Sequence, residues 1–315
     1  MAMAKPYCSF KYGKDRKNKI LALGWHQNKI VASHNMKVII AGAGVMGSGI
    51  ALCSAQAGHE TLLYDLHDEA IAKGKKYIES ELRKSLEKGR IDQAKHDQTL
   101  ELLKYTTDFS QLTGDLILEA VLERLDVKKE LFAKLEQQNS VHTILASNTS
   151  SIPITQIGSG LAHPGRFVGI HFFNPAQIMK LVEIISGVAT DTAIAKQAFD
   201  WAVSLGKTAV YAKDAPGFIV NRVARHYYVE GLKCAEEQVA DFTAIDRLCE
   251  ASGFKLGPYR LMDLIGVETN FSVTSSMYAQ FHQDGKFRPS RIQQQKVDAG
   301  HFGRKTGKGF YDYES

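Results

Sequence analysis

The chain has 315 residues, 44% hydrophobic and 23% charged, which suits two globular domains better than one. No stretch reaches the roughly eighteen consecutive apolar residues of a membrane-spanning helix, so no membrane partner is expected. The formal charge of +5 sits at the start: residues 1–35 hold seven Lys or Arg against one acid, a net of +6 that leaves residues 36–315 at −1. That balance argues against a basic nucleic-acid-binding face on the body.

Residues 1–35 lack the apolar core and small-residue cleavage site of a secretory signal. They read as a basic N-terminal extension, disordered or artefactual, with Met36 as the alternative start, or as a poor transit peptide. Cys8, Cys53, Cys234 and Cys249 show no C-x-x-C spacing. Free thiols in a reducing, cytoplasmic compartment are therefore expected.

From Met36 onward, short β-rich runs alternate with helical stretches. KVIIA (37–41) reads as a buried strand, VMGSGIALCSAQAG (45–58) as a helix of small residues, and ETLLYDL (60–66) as a second strand. A lysine-rich amphipathic helix over 68–89 is followed by another over 91–103. The strands DLILEAV (115–121) and HTILAS (142–147) flank a helix over 125–137. FVGIH (167–171) and KLVEII (180–185) are further strands, followed by a helix around 191–205 and the strand TAVYA (208–212).

This alternation predicts an α/β fold, a doubly wound, mostly parallel Rossmann-type sheet with helices on both faces. Asp214 and Pro216 form a helix-entry signal, and from Gly217 to about residue 300 only helical periodicity appears. The expected organisation is a cofactor-binding domain over 36–213 and an all-helical domain over 214–315.

AGAGVMGSG sets Gly42, Gly44 and Gly47 in G-x-G-x-x-G spacing, between a strand and a helix, and Asp65 closes the next strand 23 residues after Gly42. In that context the pattern is a dinucleotide fingerprint. Gly42 allows the tight turn, Gly44 lets the backbone approach a pyrophosphate, and Gly47 permits close helix-on-strand packing, while the helix start supplies N–H donors for the phosphates. A carboxylate at Asp65 can accept from both ribose hydroxyls and repels a 2′-phosphate, so NAD is expected rather than NADP. Capping of the following helix is a compatible second role for Asp65.

In such sheets ligands sit beyond the carboxyl ends of the strands. Three polar clusters fall there: Glu119 to Glu123, Ser147 to Ser151, and His171 with Asn174. Each alone has an ordinary structural explanation as turn, cap or core. Together they point to a reacting centre. A turn at Pro175 lets His171 and Glu183 meet across neighbouring strands, where the carboxylate would fix the tautomer and leave the other ring nitrogen as a base for alcohol oxidation. The histidines show no H-E-x-x-H or Cys/His ligand spacing, so no metal is expected.

GAGVMGSGIA, ASNTSS, HFFNP with LVEII, KDAPGFIVNR and the terminal GRKTGKGFYDY together resemble the L-3-hydroxyacyl-CoA dehydrogenases (3-hydroxybutyryl-CoA dehydrogenases) from Met36 to the C-terminus. The resemblance implies His171 as general acid/base with Glu183 as its orienting partner, and Ser150 and Asn221 as groups on the substrate. It also implies cofactor contacts from Val45 and Met46 in the glycine loop, and from Glu123, Lys128, Asn174 and Lys305. Lys88 matches a coenzyme A contact, although Glu81 replaces a neighbouring family serine. A homodimer through the helical domain is implied as well.

The expected reaction is reversible NAD-dependent oxidation of an L-3-hydroxyacyl-CoA, with 3-hydroxybutyryl-CoA as the expected substrate. DLIGVETNFSVTSSMYAQF followed by DGKFRPSRIQQQ is similar to family members of phenylacetate catabolism that oxidise 3-hydroxyadipyl-CoA. For such a substrate Arg260 or Arg288 are the candidate partners of the distal carboxylate. The β-hydroxyacid dehydrogenases share the architecture but need a lysine near the start of the helical domain, which 221–225 lacks. An inactive, crystallin-like cofactor-binding protein is the reading from another class, and the presence of every reacting group weighs against it.

Overall fold

The computed structural model describes residues 35–313; the expected extension over 1–35, Asn35 apart, lies outside the described residues, as does Cys8. Eight strands, β1 (Lys37–Ala41), β2 (Glu60–Tyr64), β3 (Leu103–Thr106), β4 (Leu116–Glu119), β5 (Ile144–Ser147), β6 (Phe167–Phe172), β7 (Leu181–Ser186) and β8 (Thr208–Lys213), form one sheet in the order β3-β2-β1-β4-β5-β6-β7-β8. Neighbours are parallel except β6 and β7, which run antiparallel. Side chains of alternate residues enter cores on both faces: Val38 and Ile40 pack on one side, Ile39 and Ala41 on the other. That two-sided burial is why these strands read as continuous apolar runs.

The helices on the sheet are α1 (Val45–Gln56), α2 (Asp68–Glu87), α3 (Gln93–Leu102), α4 (Leu125–Gln138), the short α5 (Ile154–Gly158) and α6 (Thr192–Ser204). Sequence pattern missed β3 and placed its first residue in the preceding helix. No glycine or proline separates the two elements, and Leu103 still donates its N–H to the carbonyl of Leu100. Only Leu103 of this edge strand is buried, so pairing with β2, rather than a local apolar run, makes it a strand.

After β8 the chain is helical: α7 (Val220–Glu236), α8 (Phe242–Ala251), α9 (Pro258–Ile265), α10 (Val267–Gln280) and α11 (Arg291–Asp298). The helix-entry reading of Asp214 requires correction. Its carboxylate accepts the N–H groups of Ile154 (2.8 Å) and Thr155 (2.7 Å) and so caps α5, whereas α7 begins six residues later.

Tyr228, Leu232, Tyr259, Met262, Val267 and Phe310 form the core of the helical part. The C-terminal GKGFYDY segment is fastened to it by buried Asp263, which accepts from the N–H groups of Phe310 (2.9 Å) and Tyr311 (3.1 Å) and from the Tyr313 hydroxyl (2.9 Å). The described residues form one compact unit.

Candidate active site

The carboxyl ends of β1, β4, β5 and β6 border a cavity of about 400 Å³, closed on its far side by residues of α7 and α10. His171 and Glu183 are direct cross-strand partners in the β6–β7 register, which puts their side chains on one face of the sheet. His171 Nδ1 lies 2.7 Å from Glu183 Oε2, with Glu183 fully buried and His171 5% exposed. Glu183 Oε1 accepts the N–H groups of Ile219 (2.9 Å) and Val220 (3.0 Å) at the start of α7.

A carboxylate so engaged can only accept, so in the neutral imidazole the proton belongs on Nδ1 and Nε2 carries the lone pair. The rings of Phe173 and Phe218 pack 4.5 Å and 5.6 Å from the imidazole. Gly217 and Phe218 take φ of +73° and +48°. For phenylalanine this is uncommon backbone, and it lies in the turn just before the two N–H groups that Glu183 receives.

Each fingerprint glycine has a distinct steric reason. A Cβ on Gly42 (φ +116°) would sit 2.5 Å from the carbonyl oxygen of Ala120, and one on Gly47 would lie 1.8 Å from that of Gly42. At Gly44 nothing lies within 4 Å of a Cβ. That open space beside the start of α1, which carries no side-chain cap, fits an approaching pyrophosphate. Asp65 receives the N–H of Ala43 at 2.9 Å and that of His67 at 3.3 Å, so it ties the loop to β2 and keeps lone pairs for ribose hydroxyls. The loop thus fits a dinucleotide with a free 2′-hydroxyl. Val45 is largely exposed at the helix start, and Met46 lines the cavity.

Next to the loop an ionic cluster, buried at Lys128 and Glu119 and partly open to solvent at Glu123, holds the ends of β4 and β5 together. Lys128 Nζ lies 2.5 Å from Glu119 and 3.1 Å from Glu123, with Lys128 and Glu119 essentially inaccessible. Glu119 also accepts from Val121 N–H (2.7 Å) and the Ser147 hydroxyl (2.6 Å). Glu123 receives the Thr149 and Ser151 hydroxyls (2.5 and 3.0 Å) and the N–H groups of Ser150 and Ser151 (3.1 and 3.2 Å). Burial opposes ionisation of Glu123, but the Lys128 charge and these hydrogen bonds outweigh it and hold its carboxyl below the ordinary range. Glu123 therefore shapes the loop that carries Ser150.

Ser150, Asn174 and Asn221 line the same cavity as His171, Glu123 and Lys128. Asn148 also lines it and accepts the N–H of Phe172 at 2.8 Å, which joins β5 to the end of β6 beside the histidine. Lys88 and Lys305 stand apart from both the glycine loop and the lining. Lys88 is exposed just past the C-terminal end of α2, and Lys305 pairs with Glu268 at the start of α10. Glu81 binds Lys84 (2.7 Å) and receives Gln177 (3.2 Å) from the β6–β7 connection, so it braces α2 against that turn. Arg260 is paired with Glu250 at 3.1 Å, and neither it nor the exposed Arg288 lines the cavity. The cavity's other cation is Arg225, four residues after Asn221 on α7. That i, i+4 spacing was the available signal for it.

Residues 37–215 match the family model described as 3-hydroxyacyl-CoA dehydrogenase, NAD binding domain, and residues 217–313 match that of its C-terminal domain. The chain belongs to the 3-hydroxyacyl-CoA dehydrogenase family. It is an NAD-dependent oxidoreductase.

It is 44% identical over 280 residues to a 3-hydroxyadipyl-CoA dehydrogenase of Escherichia coli (strain K12), over 88% of this chain but only 59% of that relative's length. It is 38% identical to a probable 3-hydroxybutyryl-CoA dehydrogenase of Bacillus subtilis (strain 168), covering 88% of this chain and 97% of that one. The crystal structure of (S)-3-hydroxybutyryl-CoA dehydrogenase from Ralstonia eutropha superposes with a TM-score of 0.85 at 34% identity, over 89% of this chain and 99% of that one.

Proposed function

We propose that this chain interconverts an L-3-hydroxyacyl-CoA and the 3-oxoacyl-CoA, with His171 as the group that moves the hydroxyl proton. The observation that carries this reading is the buried His171–Glu183 pair, 2.7 Å apart, at the same cavity as Ser150 and Asn221. NAD, held by Gly42, Gly44, Gly47 and Asp65, supplies the hydride acceptor when bound.

His171 Nε2 takes the proton of the substrate's 3-hydroxyl in oxidation and returns it in reduction. Glu183 keeps that nitrogen in its basic tautomer and balances the imidazolium that forms; a base positioned in this way contributes roughly 10²- to 10⁴-fold. The Ser150 hydroxyl makes no hydrogen bond to the described residues, so it is free to donate to the 3-oxygen. Asn221 orients the acyl group from the helical side. Closure of α7 and α10 over the strand ends keeps water from the reacting carbon.

In this reading residues 36–213 bind the cofactor, and residues 214–315 complete the substrate site and form a homodimer in the cytoplasm. Among the described residues no helix is long and apolar enough to cross a membrane. The test is NADH formation from 3-hydroxybutyryl-CoA. His171→Ala should lower kcat at least 10³-fold while fluorescence titration shows NADH binding little changed. Turnover retained in that variant would refute the role of His171.

A further inference from the structure

Two cations line the cavity, and they differ in one respect. Lys128 meets Glu119 and Glu123. Arg225 is 2% exposed, yet no carboxylate among the described residues lies within ion-pair distance of it. Among the described residues its side-chain hydrogen bonds all leave Nη1, to the Asn270 carbonyl (3.1 Å), the Asn270 side-chain oxygen (3.1 Å) and the Thr274 hydroxyl (2.8 Å). Nε has no acceptor, and Nη2 has none among the described residues.

Burial pushes the guanidinium down to about 10, with Tyr228 opposing the fall, so the group stays charged at neutral pH. The guanidinium also lies over the Tyr228 ring, 5.2 Å from its centroid, but a desolvated charge with neutral partners and no counter-ion is under-compensated. A guanidinium with a free edge is suited to a carboxylate.

The place of this charge relative to the reacting carbon follows from the helix. Asn221, Arg225 and Tyr228 recur at i, i+4 and i+7 on α7 and all line the cavity, which is the pattern of a single helix face. Arg225 therefore stands one turn beyond Asn221, about 6 Å along the axis. In a six-carbon diacyl chain the distal carboxyl carbon is three bonds past C3, about 4 Å away. With C3 between His171 and Asn221, the long Arg225 side chain spans the remaining gap.

We propose that Arg225 binds the distal carboxylate of an ω-carboxylated 3-hydroxyacyl-CoA and so sets the acyl specificity of this site. This rests on the reaction assigned above and names its substrate class. An uncharged acyl end leaves the guanidinium without a counter-ion, and a site whose buried charged group goes unpaired discriminates against the ligand that lacks the partner.

The experiment compares kcat/KM for 3-hydroxyadipyl-CoA and 3-hydroxyhexanoyl-CoA, chains of equal carbon number that differ in a terminal carboxylate. The wild type should favour the diacid by at least tenfold. Arg225→Met should lower kcat/KM for the diacid roughly 100-fold, the size expected when one partner of a desolvated charge pair is removed, and collapse the ratio, while Arg225→Lys should keep part of it. A wild-type ratio near one, or a ratio unchanged in Arg225→Met, would overturn the assignment.

If Arg225→Met does not fold, competition on the wild type decides: adipyl-CoA should inhibit 3-hydroxybutyryl-CoA oxidation at least tenfold more tightly than hexanoyl-CoA, and equal inhibition overturns the proposal. Absence of NADH formation from all three substrates would instead overturn the reaction, whereas turnover with no diacid preference would remove Arg225 alone.

Discussion

The two walls of the cavity treat buried charge in opposite ways. On the sheet wall every buried charge has a partner of opposite sign or a set of donors: Lys128 sits between Glu119 and Glu123, and Glu183 takes His171 and two backbone N–H groups. On the helical wall Arg225 has neutral partners among the described residues: Asn270, Thr274 and the face of the Tyr228 ring. A saturated network holds geometry, because each member is costly to strand. An unsaturated charge is a demand that a ligand can meet. The sheet wall accordingly reads as the fixed part of the site, and the helical wall as the part that selects.

This contrast has consequences for stability that can be measured apart from activity. The largest is expected at the sheet wall: Lys128→Met strands Glu119 in a site with no access to water, and denaturant unfolding should show a loss of about 3–5 kcal/mol, as for a broken buried pair. Arg225→Met strands no carboxylate and removes a charge that is itself under-compensated. Its loss should be near 1 kcal/mol, the worth of a few hydrogen bonds to neutral acceptors, and a loss as large as that of Lys128→Met would show that the helical wall is as saturated as the other.

The smallest effect concerns acid. The Glu123 carboxyl is held below its ordinary value of 4.5, so its contribution to stability is fully present above that value and is lost as pH falls through the lower folded-state value. The melting temperature of the wild type should therefore fall more steeply than that of Glu123→Gln as pH drops below about 4.5. Parallel curves would mean that Glu123 contributes no proton linkage.

The sheet was largely legible, because its information is local. Apolar runs bounded by turn residues place seven of the eight strands, and the exception, β3, lacks both the run and the boundary. Asp214 shows the limit from the other side. Its acidic side chain before a proline is a true capping signal, but the helix it caps, α5, lies 60 positions earlier in the chain. A cap motif states that some N–H groups are received without stating whose. The helical part beyond residue 217 was legible as helix only, since periodicity shows which face is buried but not what it is buried against.

By itself, the sequence determined the positions whose reasons are steric or periodic: the glycines at 42, 44 and 47, the acid at 65, and a histidine and a glutamate twelve residues apart across a strand-turn-strand segment. Local covalent geometry and pleat are enough for these. Tertiary structure alone decided what each charge meets. The anchoring of Glu183 on the first N–H groups of α7, 36 and 37 positions on, and the closing of the Glu119–Lys128 pair by the Ser147 hydroxyl, 28 positions from Glu119, depend on contacts between distant segments. So does the isolation of Arg225. A missing counter-ion is a property of the whole surroundings of a side chain, and no window of residues around position 225 contains it.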